Sequence, residues 1–497
     1  MLPKKNVPNM NQGCMFLCLV SIALQINRVI LENNETKTEE AELNPAAANR
    51  KLFVLVLDGL LPSVTQSDSS QDQLDSLGAS FPLSLSSVFP PLTLPSTASL
   101  LTGLQPHQHN FIDNFLYDSE AKLSFSYNTD DAEGEIDMST QWWTHFHPIW
   151  THLAKTGEKN VTVYGSNLCK PLDNLECVKT FALSNASLEA AMKDSIKKET
   201  NVVFMFDQFI PENEFELKSD YTEVLATAKH HLFQHCQHMK SLAKELDLED
   251  FNVIVTGNRA RTADNFYFVN LYDDVLSKSA GNVFNDVSFM PPRIQSQYFS
   301  LYSDKNASYL ISELEQVTTE LKVYSTEELD MRVGSRLSES LYPPQALIVA
   351  DHHFVMATQA REPMYALLDG VDLNSQSYAN TALLAFGTEF VAQPIPVSGS
   401  ITDVFFLICD VMQVDPSSED QPQTQSGDGY ALAGMLKRNP QTSKPLHPFV
   451  VIAVASVICL SFLSMVVFLI IRKQRIESQY TVPKRSSSDI ELHDINT

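Results

Sequence analysis

The chain has 497 residues, 44% hydrophobic and 19% charged: enough apolar side chain to bury a sizeable core, and too much for a disordered or collagen-like polymer. Its formal charge is −25, with 35 Lys and Arg against 60 Asp and Glu. So acidic a surface repels nucleic acid and anionic headgroups, and no nucleic-acid polymer is expected as a partner.

Lys4 and Lys5 precede an apolar stretch, Cys14 to Leu24, that is too short to span a bilayer but has the flanks of a secretory signal. Residues 1–27 are therefore expected to be a signal peptide and residues 28–50, polar and acidic without periodicity, a flexible lead. From residue 51 short β-branched or apolar runs recur: Leu52–Leu57, Val161–Tyr164, Val202–Phe206, Val253–Thr256, Ala346–Ala350 and Thr381–Phe386. Runs of this kind predict strands buried on both faces, and helical stretches such as Asp220 to Glu245 lie between them. The alternation predicts an α/β domain over residues 51–440, with a mostly parallel sheet, helices on both faces and functional side chains at strand C-terminal ends.

Asp58 closes the first run and is followed by Gly59, which lets the chain turn; metal ligation and capping of the next element are both ordinary roles for such a carboxylate. Thr93 precedes a helical run, where its hydroxyl could face an anion at the helix N-terminus, and Asn114 lies a little further on. Cys169 and Cys177, eight apart, suit a short-loop disulfide in an oxidising compartment, whereas Cys236 and Cys409 are open between pairing and burial as thiols. His231, His235 and His238 fall on one helix face and read as a solvated or subunit-facing stripe. His145, His147, His352 and His353 are the histidines from which a relocated metal site would have to be drawn.

Residues 415–428 form an acidic insert rich in Ser, Gln and Pro, and residues 441–448 a short juxtamembrane stalk. Phe449 to Ile471 then runs without a charge for a length of roughly 34 Å as a helix, closed by Arg472, Lys473 and Arg475. The basic stop predicts a single-pass type I protein of the plasma membrane, its ectodomain outside and residues 472–497 as a cytoplasmic tail. Four sequons, at Asn34, Asn160, Asn185 and Asn306, all lie on the outer side of that span as expected glycosylation sites.

The segments Phe53 to Gly59, Val88 to Pro106 and Phe111 to Asp118 resemble, in order, spacing and flanks, the ecto-nucleotide pyrophosphatase/phosphodiesterase family of the alkaline phosphatase superfamily. The resemblance continues through Trp142 to Trp150 and Met435 to Pro440. It implies an alkaline-phosphatase-like fold in which Thr93 stands at the nucleophile position, Asp58 at a zinc ligand and Asn114 at a contact to the phosphate oxygens. Two zinc ions serve such a site, one lowering the pKa of the threonine hydroxyl and both neutralising charge on the phosphoryl oxygens.

The chain departs from that pattern at the remaining ligands. Aligned from the strand, Ile210 stands where an aspartate is expected and Glu214 where a histidine is; Gly257 and Asn258 replace an aspartate and a histidine, and Asp369 replaces the last histidine. One site keeps only Asp58 and Thr93, and the other at best Glu214 and Asp369, oxygen donors that suit a hard, weakly held ion more than zinc. Leu94 stands where the family usually has a phenylalanine that stacks on the base. No metal cofactor is therefore expected, or two zinc ions if the site is retained after all.

The leading function read from the sequence is a catalytically inactive, membrane-anchored ectodomain that binds a protein or glycan. The alternative is a residual ecto-phosphodiesterase acting on nucleotide or phospholipid-type diesters through Thr93 and a rebuilt metal site, and a third class is a surface-coat glycoprotein without a specific small ligand. Restoring two metals is expected to need Ile210→Asp, Glu214→His, Gly257→Asp, Asn258→His and Asp369→His together.

Overall fold

The computed structural model describes residues 50–127, 141–155, 159–210, 221–259, 261–291, 295–351, 353–358, 364–369, 380–415, 431–437 and 471–472. Eight strands position the site: β1 Lys51–Asp58, β2 Val161–Tyr164, β3 Leu175–Val178, β4 Val202–Gln208, β5 Phe251–Thr256, β6 Arg261–Asn270, β7 Met364–Asp369 and β8 Leu383–Gly387. Five helices support them: α1 Asp68–Leu77, α2 Thr93–Thr102, α3 Asn185–Lys197, α4 Tyr221–Glu245 and α5 Asp403–Met412.

The main sheet has the order β8-β5-β1-β4-β2-β3. All its pairings are parallel except that of β8, which runs antiparallel to β5 at one edge. Its centre is β1, and alternate residues of that strand enter opposite cores, because successive side chains of a strand point to opposite faces. Leu52, Val54 and Val56 join α2 and α5 on one side, while Phe53, Leu55 and Leu57 join α1, α3 and α4 on the other. Helices on both faces are the reason that β1 reads as an unbroken apolar run. The register pairs Asp58 with Gln208 and Val56 with Thr256, so the C-terminal ends of β1, β4 and β5 lie along one edge.

Ala346–Ala350 is a strand, as expected, but it does not belong to the parallel sheet. It pairs antiparallel with Tyr298–Leu301 and Leu321–Ser325 in a separate three-stranded sheet, burying its own small core. The apolar run forms a fully buried strand, and its partner is set by tertiary contacts that a single-strand pattern does not encode. A further four-stranded sheet places β6 between Phe354–Ala357 and β7.

Cys169 and Cys177 form a disulfide across the β2–β3 connection, with Cα atoms 5.8 Å apart. Cys236 and Cys409 are buried free thiols in the two different cores, on opposite faces of the main sheet, and burial raises both their pKa values.

The chain divides into two compact units, Met1–Arg438 and Asn439–Thr497, and the second is described only at Ile471 and Arg472, which are helical. Among the described residues no helix is long and apolar enough to cross a membrane. The expected span 449–471 lies outside the described residues apart from Ile471, as do the whole signal peptide, nearly all of the 415–428 insert and the cytoplasmic tail beyond Arg472.

Candidate phosphodiester site and its replacement

Helix α2 begins at Thr93, half-buried, after an extended Leu92, and ends at Gly103 in the left-handed conformation. Every residue from Leu94 to Thr102 is buried, although four of them are Ser or Thr. Buried hydroxyls need partners, and these four have them. Ser96 Oγ meets Ser87 Oγ at 3.2 Å, and Thr97 Oγ1 accepts from Asn258 Nδ2 at 2.9 Å. Ser99 Oγ meets His109 Nε2 at 2.9 Å, and Thr102 donates to the Ala98 carbonyl at 2.7 Å. The first two bonds tie α2 to the segments that precede it and follow β5, and the third ties it to the loop that leads to Asn114.

His109 is fully buried, and its Nδ1 accepts the Phe111 N–H at 3.1 Å, which leaves Nε2 as the donor toward Ser99. Burial pushes its pKa down to about 3, so the ring is neutral. Asp113 is also buried, accepting from Asn114 N–H at 2.7 Å and Ser300 N–H at 3.2 Å; desolvation raises its pKa to about 7 against the pull of those bonds. Asn114, held in this way, accepts the Leu94 N–H at 2.9 Å on its Oδ1. One of the open donors at the start of α2 is therefore satisfied by a residue twenty positions later, and Thr93 and Asn114 are brought to the same place.

Asp58 ends β1 on the same edge of the sheet, with its carbonyl taken by Phe209 N–H at 2.9 Å. Its carboxylate is engaged by a guanidinium. Arg259 Nε donates to Oδ1 at 2.7 Å and Nη2 to Oδ2 at 2.9 Å, a two-pronged pair in which the arginine side chain is 2% exposed and the aspartate 16%. The Tyr127 hydroxyl donates to Asn167 Oδ1 at 3.0 Å beside this pair; burial first and the Asp58 charge second push its pKa up.

Gly257 follows β5 and donates its N–H to the Ala382 carbonyl at 3.0 Å. A Cβ at this position would lie 1.9 Å from Thr381 Oγ1 and 2.9 Å from Leu60 Cβ, so the close approach of these segments requires glycine. Thr381 is itself fixed, donating to the Leu60 carbonyl at 2.7 Å. Asn258 is 3% exposed and turned into the protein toward Thr97.

Of the positions singled out in the sequence, the structure gathers Asp58, Thr93, Asn114, Gly257 and Asn258 around the C-terminal ends of β1 and β5 and the start of α2. Asp369 ends β7 opposite Arg261, two residues beyond Arg259. Ile210 is buried in the core on the α4 side, and Leu94 is buried in the opposite core. Glu214 lies outside the described residues. His231 and His235 line a cavity of about 100 Å³ with Asp207; His235 meets Asn185 Oδ1 at 2.7 Å through Nδ1. His145 and His353 are exposed, His147 is half-buried and His352 is outside the described residues. Of the sequon asparagines, Asn185 and Asn306 are exposed, Asn160 is half-buried and Asn34 is not described.

The zinc pair that the family pattern implies does not fit these donors. Asp58 is committed to Arg259, position 257 has no side chain and no room for one, and Asn258 faces inward. Among the described residues no group of three His, Cys, Asp or Glu side chains is placed to hold a metal ion. Arg259, Tyr127 and Thr381 were not legible as site residues. The one signal for Arg259 in the sequence was a cationic side chain two positions after Gly257, where the family pattern implies a ligand.

The fold and the placement of Thr93, Asn114 and Asp58 at one sheet edge define an alkaline-phosphatase-like α/β protein. The family model for type I phosphodiesterase/nucleotide pyrophosphatase matches residues 52–229. Over that segment, about a third of the chain, the sequence is similar to the ecto-nucleotide pyrophosphatase/phosphodiesterase family. It is 33% identical over 73 residues to bis(5'-adenosyl)-triphosphatase enpp4 of Xenopus laevis, a match covering 15% of this chain and 14% of the relative. It is 32% identical over 77 residues to human ectonucleotide pyrophosphatase/phosphodiesterase family member 1, covering 16% and 8%. The matched segments are thus a small part of either relative's length. Among solved structures, an inactive form of murine ectonucleotide pyrophosphatase/phosphodiesterase 5 in complex with AMP superposes with a TM-score of 0.62 at 16% identity, over 78% of this chain and 100% of that one. The human counterpart gives 0.60 at 15% identity over the same shares. These likenesses show the fold.

Proposed function

We propose that this chain is a catalytically silent member of the ecto-nucleotide pyrophosphatase/phosphodiesterase family, displayed at the plasma membrane as a single-pass type I glycoprotein and acting by binding a protein or glycan. The observation that carries the reading is the two-pronged ion pair between Arg259 and Asp58. A threonine hydroxyl attacks a phosphodiester only when a metal or base lowers its pKa, and the carboxylate that would hold that metal already has a cationic partner. A glycine at 257 and an inward-facing Asn258 remove two more donors from the same place. The residual-phosphodiesterase reading draws on one feature, the retained juxtaposition of Thr93 and Asn114 at the start of α2. That juxtaposition positions an acceptor but supplies no activation.

The test uses the full chain purified in detergent, incubated with a nucleotide-like diester and with zinc, magnesium, manganese or calcium in turn. Turnover no greater than that of Thr93→Ala is expected with every ion. Hydrolysis that Thr93→Ala abolishes would refute the silent reading in favour of a rebuilt site. Surface display is tested separately by protease digestion of intact cells, which should remove an N-terminal epitope and spare a C-terminal one.

A further inference from the structure

We infer that Arg259 is the resident cation of the former metal site: its guanidinium stands in for the zinc at Asp58, so that this edge of the sheet is assembled and kept folded without any divalent ion. The inference rests on the silent-member reading and specifies how the silent site is held together. Three observations support it. The guanidinium is 2% exposed and grips both carboxylate oxygens, at 2.7 and 2.9 Å, so it neutralises Asp58 as a bound cation would. Arg259 belongs to the same segment as Gly257 and Asn258, so the loop that lost two ligand side chains delivers the replacement charge. Third, the vacated space is closed. Thr381 Oγ1 lies 1.9 Å from where a Cβ at 257 would stand, so a carboxylate cannot return there while Thr381 is present.

The five ligand replacements read from the sequence are therefore not enough to rebuild a two-metal site; Arg259 and Thr381 must change as well. The pair Asp58–Arg259 carries no net charge, whereas an aspartate with a dication keeps one positive charge. Recruitment of a phosphate by the field of the site is lost together with the metal.

The experiment uses the full chain in detergent and reads melting temperature and zinc content. Wild type should melt at the same temperature in EDTA and in excess zinc, and should retain no zinc that Asp58→Asn removes. Arg259→Met should melt lower in either condition, and Arg259→Lys should recover part of the loss. A wild-type melting temperature that falls by 5 °C or more in EDTA and returns with zinc would overturn the inference. Bound zinc that disappears in Asp58→Asn would do the same, and so would an Arg259→Met chain as stable as wild type. The wild-type comparison holds even where a variant fails to fold. Zinc held through Asp58 without hydrolysis would sink this inference and leave the silent reading standing, whereas metal-free hydrolysis through Thr93 would do the reverse.

Discussion

Removing either half of the Asp58–Arg259 pair should destabilise the protein, and unequally. With charge centres about 4 Å apart and an effective dielectric near 20, the gross attraction is about 4 kcal/mol. What each substitution costs depends on what it leaves behind. Arg259→Met leaves a carboxylate that is 16% exposed and can recruit water, and should cost about 2–3 kcal/mol. Asp58→Asn takes a charged partner away from a guanidinium that is 2% exposed, and should cost about 3–5 kcal/mol. The double variant should fall short of the sum, with a coupling energy of about 2 kcal/mol. For a domain of this size each kcal/mol moves the melting temperature by roughly 2 °C. Thermal scans at one fixed rate should therefore place Asp58→Asn about 6–10 °C below wild type, with Arg259→Met between them. The differences should survive molar salt, because a buried pair is poorly screened. If Arg259→Met were the more damaging of the two, or if the double variant were simply additive, the pair would not be the buried, mutually compensating unit described here.

Three other outcomes follow from the same geometry. Gly257→Ala should destabilise by about 2–3 kcal/mol through overpacking, and less in a Thr381→Ala background, since that removes the 1.9 Å contact while the Leu60 Cβ stays at 2.9 Å; equal costs in both backgrounds would contradict the contact. Asn114→Ala should cost about 1 kcal/mol by exposing the Leu94 N–H, measurable by chemical denaturation, and no loss would mean water caps α2 equally well.

The third outcome concerns pH. The folded pKa of Asp113, raised to about 7 from 3.8, favours folding below pH 3.8, and this contribution is lost as pH rises toward 7. That of His109, lowered to about 3 from 6.5, favours folding above pH 6.5, and its contribution is lost as pH falls toward 3. The stability difference between wild type and Asp113→Asn should therefore shift against wild type from pH 4 to 7, and that between wild type and His109→Gln from pH 6.5 down to 4. Flat differences would show that neither group is desolvated.

The sequence by itself determined the parts that depend on local pattern. The apolar run at β1 fixed a strand buried on both faces, with Asp58 at its end, because helices on either side leave no polar alternation to read. The family resemblance singled out Thr93 and Asn114, and Asn114 does bond to the Leu94 N–H beside Thr93; the separation of eight between Cys169 and Cys177 marked a disulfide that does form. Set against the family pattern it resembles, the sequence also implied that ligand side chains are missing at 210, 257 and 258. What replaced them was decided only in three dimensions. Arg259 and Asp58 are 201 residues apart, Thr381 lies farther still from Leu60, and neither contact leaves a periodicity or motif in the chain. The strand Ala346–Ala350 shows the same division: its composition announced a buried strand, but its neighbours in an antiparallel sheet were chosen by long-range pairing. A lost ligand is an absence at one position and can be read there; a substitute cation or a filled space is a relation between distant positions, and only folding creates it.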